Sequence, residues 1–121
     1  KQAKEQADAD AKAKAKQDAM DNASSEDTSA LNSAESYGAM NMSKVGIYDQ
    51  LVSQYGGKFS ASSAQFAIDN VDIDYNANAL ASAESYQSMN MSPSAIYDQL
   101  ISSYGGKFTP SEAQYAKDNL K

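Results

Sequence analysis

The sequence predicts an all-α protein built from two tandem three-helix, helix-turn-helix-like units that are joined by a short linker. Two observations support this prediction: a long internal repeat, and the recurrence of the same helix start and stop signals in both copies. Residues 30–72 align without gaps onto residues 79–121, and 28 of the 43 aligned positions are identical. Identity this high over this length indicates a duplicated structural unit.

The segment before the repeat has a different composition. It consists mainly of Ala, Lys, Gln and Asp, and Met20 is its only large apolar residue. Such a segment buries too little apolar surface to offset the loss of chain entropy, which favours a flexible stalk. Ala and Lys are also good helix formers, so a solvated helix is the alternative. The predicted division is a spacer, unit one, a linker and unit two, at residues 1–27, 28–72, 73–76 and 77–121.

Polar residues at capping positions predict where the first two helices of each unit begin. We expect the first helix after Asp27 in unit one and after Asn76 in unit two, because both residue types are good N-caps. Ser43 and Ser92 precede the second helix in the same way. In unit two the next residue is proline, whose missing N–H costs nothing at the first helical position.

The second helix is predicted to bury a face that includes tyrosines. Tyr48, Leu51, Val52 and Tyr55 fall at i, i+3, i+4 and i+7, which places them on one side of a helix. The glycine pair that follows is expected to end the helix by supplying a left-handed C-cap. Because each unit is small, we expect aromatic and methionine side chains to form much of the core. In unit one these are Tyr37, Met40, Met42, Tyr48, Tyr55, Phe59 and Phe66.

The third helix is predicted to begin after Ser60 in unit one and after Thr109 in unit two. Thr109 and Glu112 have the spacing of a capping box, in which each side chain bonds the backbone N–H of the other residue. The inner face of this helix consists mostly of alanines, which allow close packing.

The composition argues against catalysis. The chain lacks Cys, His, Trp and Arg, so the usual general base, thiol nucleophile and preferred zinc ligands are all missing. We therefore predict a protein that is not an enzyme and that has no cofactor, metal or catalytic residue. Its net charge of −6, with Lys as its only basic residue, also argues against nucleic-acid binding, which depends on cationic contacts to phosphate.

Three sequence patterns recur in both copies. They are A-L-x-x-A-x-x-Y, M-S-x-x-x-I-Y-x-Q-L and Y-G-G-K-F-[ST]-x-x-x-A-Q-[FY]-A-x-D-N, over residues 30–70 and 79–119. Together they resemble the Ltp-type repeat of host cell surface-exposed lipoproteins. This resemblance implies small helical bundles that an N-terminal lipid holds outside the cytoplasmic membrane of a Gram-positive bacterium. The family pattern also includes a signal peptide and a lipidated cysteine, which this sequence does not contain.

The resemblance also implies a function. Some members of the family are encoded by temperate phages and act in superinfection exclusion, by engaging the tape measure protein of an incoming phage and blocking DNA injection. We expect this chain to do the same as a monomer, with contact to a membrane only through an N-terminal lipid. The alternative is a structural or adhesive cell-surface module with no antiviral role.

Exposed acidic residues are the candidates for binding a basic partner segment, because opposite charges attract across an interface. The alternative is that these acids have no binding role and form the solvated faces of small helices. The candidates are Glu35, Asp49, Asp69, Asp72, Asp74, Glu84, Asp98 and Asp118.

Overall fold

The structure is a computed structural model that describes the backbone of residues 2–121 and the side chains of residues 3–121. This part of the chain contains seven helices and no strand. They are α1 (Gln2–Asp21), α2 (Ser25–Ala39), α3 (Lys44–Val52), α4 (Ala61–Asn70), α5 (Tyr75–Ser88), α6 (Pro93–Ile101) and α7 (Pro110–Asn119). The all-α class with two tandem repeat units is confirmed: α2–α4 form unit one and α5–α7 form unit two.

Four helices begin where the capping signals predict. The side chains of Ser43, Ser60, Ser92 and Thr109 each accept a hydrogen bond from the backbone N–H three residues later. Thr109 and Glu112 also form the predicted capping box. These bonds satisfy amide groups that have no partner inside the helix.

The predicted starts of the first helices are wrong by three residues in unit one and by two in unit two. In unit one the N-cap is Ser24, whose side chain accepts from the N–H of Asp27 while the Asp27 carboxylate accepts from the N–H of Ser24. Asp27 is therefore the third residue of the helix and completes a capping box. In unit two the N-cap is Asp74, which accepts from Ala77, so Tyr75 and Asn76 of the predicted linker belong to α5.

The predicted spacer is helical from Gln2 to Asp21, so the solvated helix is correct and the flexible stalk is wrong. Lys1 lies outside the described residues. Two contacts attach α1 to unit one. Met20 packs against its hydrophobic cluster, and Lys16 Nζ lies 2.6 Å from a carboxylate oxygen of Asp72. Most other side chains of α1 are exposed, so helix propensity supplies much of its stability.

Each unit has its own hydrophobic cluster, and the two clusters share no residue. The first and third helices of a unit pack through alanines that are completely buried, and an isoleucine and a leucine of the second helix fill the remaining space. In unit one these residues are Ala30, Ala34, Ile47, Leu51, Ala64 and Ala67, and in unit two they are Ala79, Ala83, Ile96, Leu100, Ala113 and Ala116.

The expected aromatic and methionine core is wrong in part. Tyr55 is 91% exposed and Met40 is 59% exposed, while most of the other aromatic residues lie partly buried at the edge of the cluster. The reason is the length of α3, which ends at Val52 with Ser53 in an extended conformation. Tyr55 therefore follows the helix and does not lie on its inner face.

The glycine pairs do not supply the left-handed cap that the sequence suggests. No glycine in the described chain has a positive φ, whereas Lys58 and Lys107, just after the pairs, have φ of 58° and 59°. The glycines are needed because the loop folds back onto the helix end. A Cβ at Gly57 would lie 2.9 Å from the carbonyl oxygen of Leu51, and the Gly57 N–H donates to the carbonyl of Gln50 at 3.0 Å.

Polar contacts join the two units. Ser43 Oγ donates to the carbonyl of Gly106 at 2.6 Å, and Lys107 Nζ donates to Asp49 Oδ2 at 2.7 Å. Ser43 is almost fully buried, since only 2% of it is exposed. The glycine–lysine loop of unit two therefore lies against the start of α3 in unit one.

Asn78 makes the deepest contact between the units. This buried residue in the first turn of α5 donates from Nδ2 to the carbonyls of Gly38 at 3.2 Å and Met42 at 2.9 Å, at the end of α2. The Gly38 carbonyl lies in the last turn of α2 and also accepts from the Asn41 N–H at 3.1 Å, while the Met42 carbonyl lies in the loop that follows. Ile73 packs beside them against Gly38, where a Cβ would lie 2.5 Å from Ile73 Cδ1.

Replacing a core leucine should destabilise its unit far more than replacing the exposed tyrosine. We expect Leu51→Ala to lower the free energy of unfolding by about 2–5 kcal/mol, because it removes buried methyl groups and leaves a cavity. Tyr55→Ala should change it by less than about 0.5 kcal/mol. Urea denaturation followed by circular dichroism measures both values, and a larger loss for Tyr55→Ala would contradict this description of the core.

Asp27 should make stability pH-dependent in acid. Ser63 Oγ donates to its carboxylate at 2.7 Å, and this bond, followed by the one from the Ser24 N–H, holds the pKa of Asp27 below 3.8. Because the folded-state pKa is lowered, the stabilising contribution is complete above the unfolded-state pKa and disappears as pH falls through the folded-state pKa. Asp27→Asn should therefore be less stable than wild type at neutral pH, and the difference should shrink in strong acid. Asp8→Asn on α1 is the control, and a difference that stays constant with pH would refute the assignment.

Asn78→Ala should loosen the two units from one another, because the hydrogen bonds from Asn78 to the carbonyls of Gly38 and Met42 are lost. We expect the rotational correlation times from ¹⁵N relaxation to fall towards those of units that tumble separately. Ser29→Ala is the matched control, since Ser29 occupies the equivalent position in unit one and is exposed. Equal correlation times in both variants would show that Asn78 does not hold the units together.

Candidate partner-binding surfaces

The predicted acidic residues do not form one continuous site. Three of them, Glu35, Asp72 and Asp74, line a shallow concavity of about 280 Å³ where the linker meets the end of α2. Ile73 lies on its floor with Gly38 and Asn78. The structure brings these three predicted residues to one concavity because the linker places two aspartates beside a glutamate of α2.

Asp72 already has a cationic partner in the chain. It pairs with Lys16 of α1, although its own side chain remains 87% exposed. The hydrogen bond from Lys16 is the main reason that the pKa of Asp72 lies below its ordinary value, and the charges of Lys16 and Lys12 add to it. Asp69, Asp72, Lys12 and Lys16 line a groove of about 480 Å³ between α1 and the end of α4. A basic partner would therefore compete with α1 for this part of the acidic surface.

Asp49 also has a cationic partner within the chain, because its carboxylate accepts a hydrogen bond from Lys107 of the other unit. Two more predicted residues accept hydrogen bonds along their own helices: Asp69 from Gln65 at 2.8 Å and Asp118 from Gln114 at 2.7 Å. Such bonds leave the carboxylates accessible, as both aspartates are exposed.

Glu84 and Asp98 are the predicted residues of unit two that the solvent reaches most freely. Both are exposed, and within residues 2–121 neither takes part in an ion pair. They lie on different helices, α5 and α6, so they contribute to a charged surface and not to a shared pocket.

A cleft with a volume of about 500 Å³ lies between the units. Its unit-one side includes Met40, Ser43 and Asp49, and its unit-two side includes Gly106 and Lys107. The hydrogen bonds that cross it are those that join the units. Its lining is mixed, with the exposed Met40 beside the paired Asp49 and Lys107.

Sequence reasoning missed the buried polar residues of this interface. Ser43 and Asn78 are buried because they bond the backbone of the opposite unit. A comparison of the two copies carries a signal for Asn78, whose counterpart Ser29 is a different residue type. It carries none for Ser43, because serine also occurs at the equivalent position 92, where it is exposed.

Exposed tyrosines were also missed. Tyr55 and Tyr104 occupy equivalent positions before the glycine pairs, and Tyr104 is fully exposed. Tyr104 is adjacent in the chain to Gly105, which lines the cleft. An exposed tyrosine offers a large contact area with few torsions to immobilise, so these side chains are well suited to protein contacts.

One buried polar group is not satisfied. The hydroxyl of Tyr75 has no hydrogen-bond partner in the described part of the chain. Burial raises the pKa of Tyr75, and the negative charge of Glu112 raises it further. The ring packs against the cluster of unit one, so Tyr75 anchors the start of α5 on that unit.

Across residues 2–121, acidic side chains do not gather in a group of three or more that could hold a metal ion. No helix in the same range is both long enough and apolar enough to cross a membrane.

Comparisons with known proteins identify the repeat. The family model for host cell surface-exposed lipoproteins matches residues 25–71 and 74–120, which correspond to the two units. The chain is also similar to a solved structure, described as that of Ltp, a superinfection exclusion protein from the Streptococcus thermophilus temperate phage TP-J34. The two share 42% sequence identity, with a TM-score of 0.73, over 82% of this chain and 99% of that one.

A search of curated protein sequences found no match. The family model nevertheless covers most of the chain, and its two matches begin within one residue of the α2 and α5 starts. The chain therefore belongs to the Ltp family of host cell surface-exposed lipoproteins.

Proposed function

We propose that this protein acts in superinfection exclusion, by binding a component of an incoming phage and blocking injection of its DNA. The observation that carries the proposal is the 42% identity with a superinfection exclusion protein over nearly all of that protein's length. Similarity of this extent covers both repeat units and not only one helical motif.

The charge of the chain supports a basic partner. The net charge is −6, and most of the acidic residues of the two units are exposed. An incoming polypeptide rich in lysine and arginine would be attracted to this surface and oriented by it. We therefore propose that the partner is the tail tape measure protein, or another basic phage segment, and that the acidic residues named above bind it.

The mode of action is proposed to be binding and not catalysis. Neither the cleft nor the concavity at the linker presents a nucleophile beside a general base, and the chain contains no His or Cys. A protein that sequesters a phage component needs only affinity and a position on its path. We propose that this position is the outer face of the cytoplasmic membrane of a Gram-positive bacterium, through an N-terminal lipid, and that the protein acts as a monomer.

Neutralising exposed acids of the repeat units should weaken exclusion. The test variant carries Glu35→Gln, Asp69→Asn, Glu84→Gln and Asp118→Asn, displayed on a phage-sensitive host. At up to about 1 kcal/mol for each exposed charge, the loss of four should raise the efficiency of plating by about tenfold or more. The matched control carries Glu5→Gln, Asp8→Asn, Asp10→Asn and Asp18→Asn on α1, which changes the net charge equally and should leave exclusion intact.

Two results would contradict the proposal. Wild-type protein that leaves plating and phage DNA entry unchanged would exclude an antiviral role, and retention of that protein by purified cell wall would then indicate the adhesive alternative. Equal loss of exclusion in both charge variants would show that net charge alone matters, and not the acids of the repeat units.

A further inference from the structure

The two units carry the same surface, but only one copy is occupied in the structure. We call the copy at the start of α3 the Ser43–Asp49 surface, and its counterpart at the start of α6 the Ser92–Asp98 surface. Eight residues of unit one line the cleft between the units, and seven of them recur unchanged 49 positions later. The exception is Gly46, which is replaced by Ala95.

The occupant of the Ser43–Asp49 surface shows what this surface binds. It is a glycine followed by a lysine. The Gly106 carbonyl accepts from Ser43 Oγ at 2.6 Å, while Lys107 Nζ donates to Asp49 Oδ2 at 2.7 Å. Ser43 bonds a backbone carbonyl and Asp49 bonds the lysine ammonium group. Together these contacts select a lysine in a segment whose backbone can approach the start of the helix.

Within residues 2–121, no segment makes the same contacts with the Ser92–Asp98 surface. Ser92 and Asp98 are exposed, whereas Ser43 is buried and Asp49 is paired. Within the part of the chain that the structure describes, Asp98 forms no ion pair. The acceptor carboxylate and the donor hydroxyl are therefore both accessible to an external ligand.

The backbone of this second surface already has the geometry of the first. Ser43 and Ser92 are both N-caps with extended conformations, at ψ of 164° and 155°, and each precedes a helix of nine residues. Asn41 and Asn90, two residues before them, have nearly the same left-handed φ of 64° and 66°. A site that needs no rearrangement loses less free energy to ordering when it binds.

We infer that the Ser92–Asp98 surface of unit two binds an external protein segment in which a lysine follows a glycine or another small residue. The ammonium group pairs with Asp98, and the carbonyl of the preceding residue accepts from the Ser92 hydroxyl. This inference rests on the proposed function, since it gives a basic partner a defined site and assigns that site to unit two. The glycine–lysine loop of unit two serves as the internal model of the ligand.

Charge distinguishes such a partner from a second copy of this chain. Unit one carries the same loop, with Gly57 and an exposed Lys58, so a second molecule could in principle supply the ligand. Each copy has a net charge of −6, however, and two copies repel one another at long range. A basic segment gains from the same field.

The test uses ¹⁵N-labelled protein and a cyclised peptide with the sequence of residues 102–109, which contains the glycine–lysine pair. Saturable shifts are expected for the amide signals of Ser92, Ala95 and Asp98, with an affinity in the roughly millimolar range that two solvent-accessible polar contacts provide. Asp98→Asn should weaken binding about tenfold, because it removes a charge-assisted hydrogen bond. A peptide with glutamine in place of lysine should lose affinity similarly.

Asp8→Asn on α1 is the matched control, because it removes the same charge from an exposed position outside the repeat units and should change affinity by less than about twofold at physiological salt. Binding that is equal in Asp98→Asn and wild type, or shifts that map elsewhere, would overturn the inference. Self-association that Lys58→Gln abolishes would also overturn it, by showing that the occupant is a second copy. Phage exclusion that persists in Asp98→Asn while the peptide fails to bind would refute this site and leave the proposed function intact.

Discussion

Close packing of alanine faces is the constraint on which the rest of the structure depends. In each unit the first and third helices meet through four alanines that are completely buried, such as Ala30 and Ala64 in unit one. Small side chains let two helix backbones approach closely, and an isoleucine and a leucine of the second helix then fill the space that remains. In so short a unit this arrangement gives a dense core in which alanines form the helix contact and only a few large side chains are buried.

This core decides where the aromatic residues lie. Little volume is left for rings between helices in close contact, so Tyr37, Tyr48 and Phe66 pack at the edge of the cluster, and Tyr55 and Tyr104 project into solvent. The loop that carries these two tyrosines folds back onto the preceding helix, where glycines allow the backbones to touch. The same geometry that closes the core therefore places an exposed tyrosine before each glycine pair and a lysine after it, of which Lys58 is exposed and Lys107 is partly buried.

The two units have similar sequences and folds, but the contact between them covers different surfaces on each unit. The loop of unit two occupies the Ser43–Asp49 surface, while Asn78 and Ile73 cover the end of α2. Within residues 2–121, no segment makes the equivalent contacts with the Ser92–Asp98 surface of unit two. Two positions that differ between the copies reflect this. Gly38 leaves room for Ile73 to pack against it, whereas the equivalent Gln87 is exposed. The buried Ile68 corresponds to Lys117, whose ammonium group lies 5.9 Å from the centre of the Tyr97 ring. A partner that meets the protein therefore encounters two related but distinct surfaces.

The sequence by itself determined the helical class, the duplication and most helix starts, because capping and periodicity depend on residues close together in the chain. Ser43, Ser60, Ser92 and Thr109 could be assigned as N-caps for this reason. Only the tertiary structure decided that Tyr55 is exposed, that Asp49 and Asp72 are paired with lysines, and that Ser43 is buried while the identical Ser92 is not. Burial and pairing depend on which distant segment packs against a residue, and the residues next to it in the chain do not encode that contact.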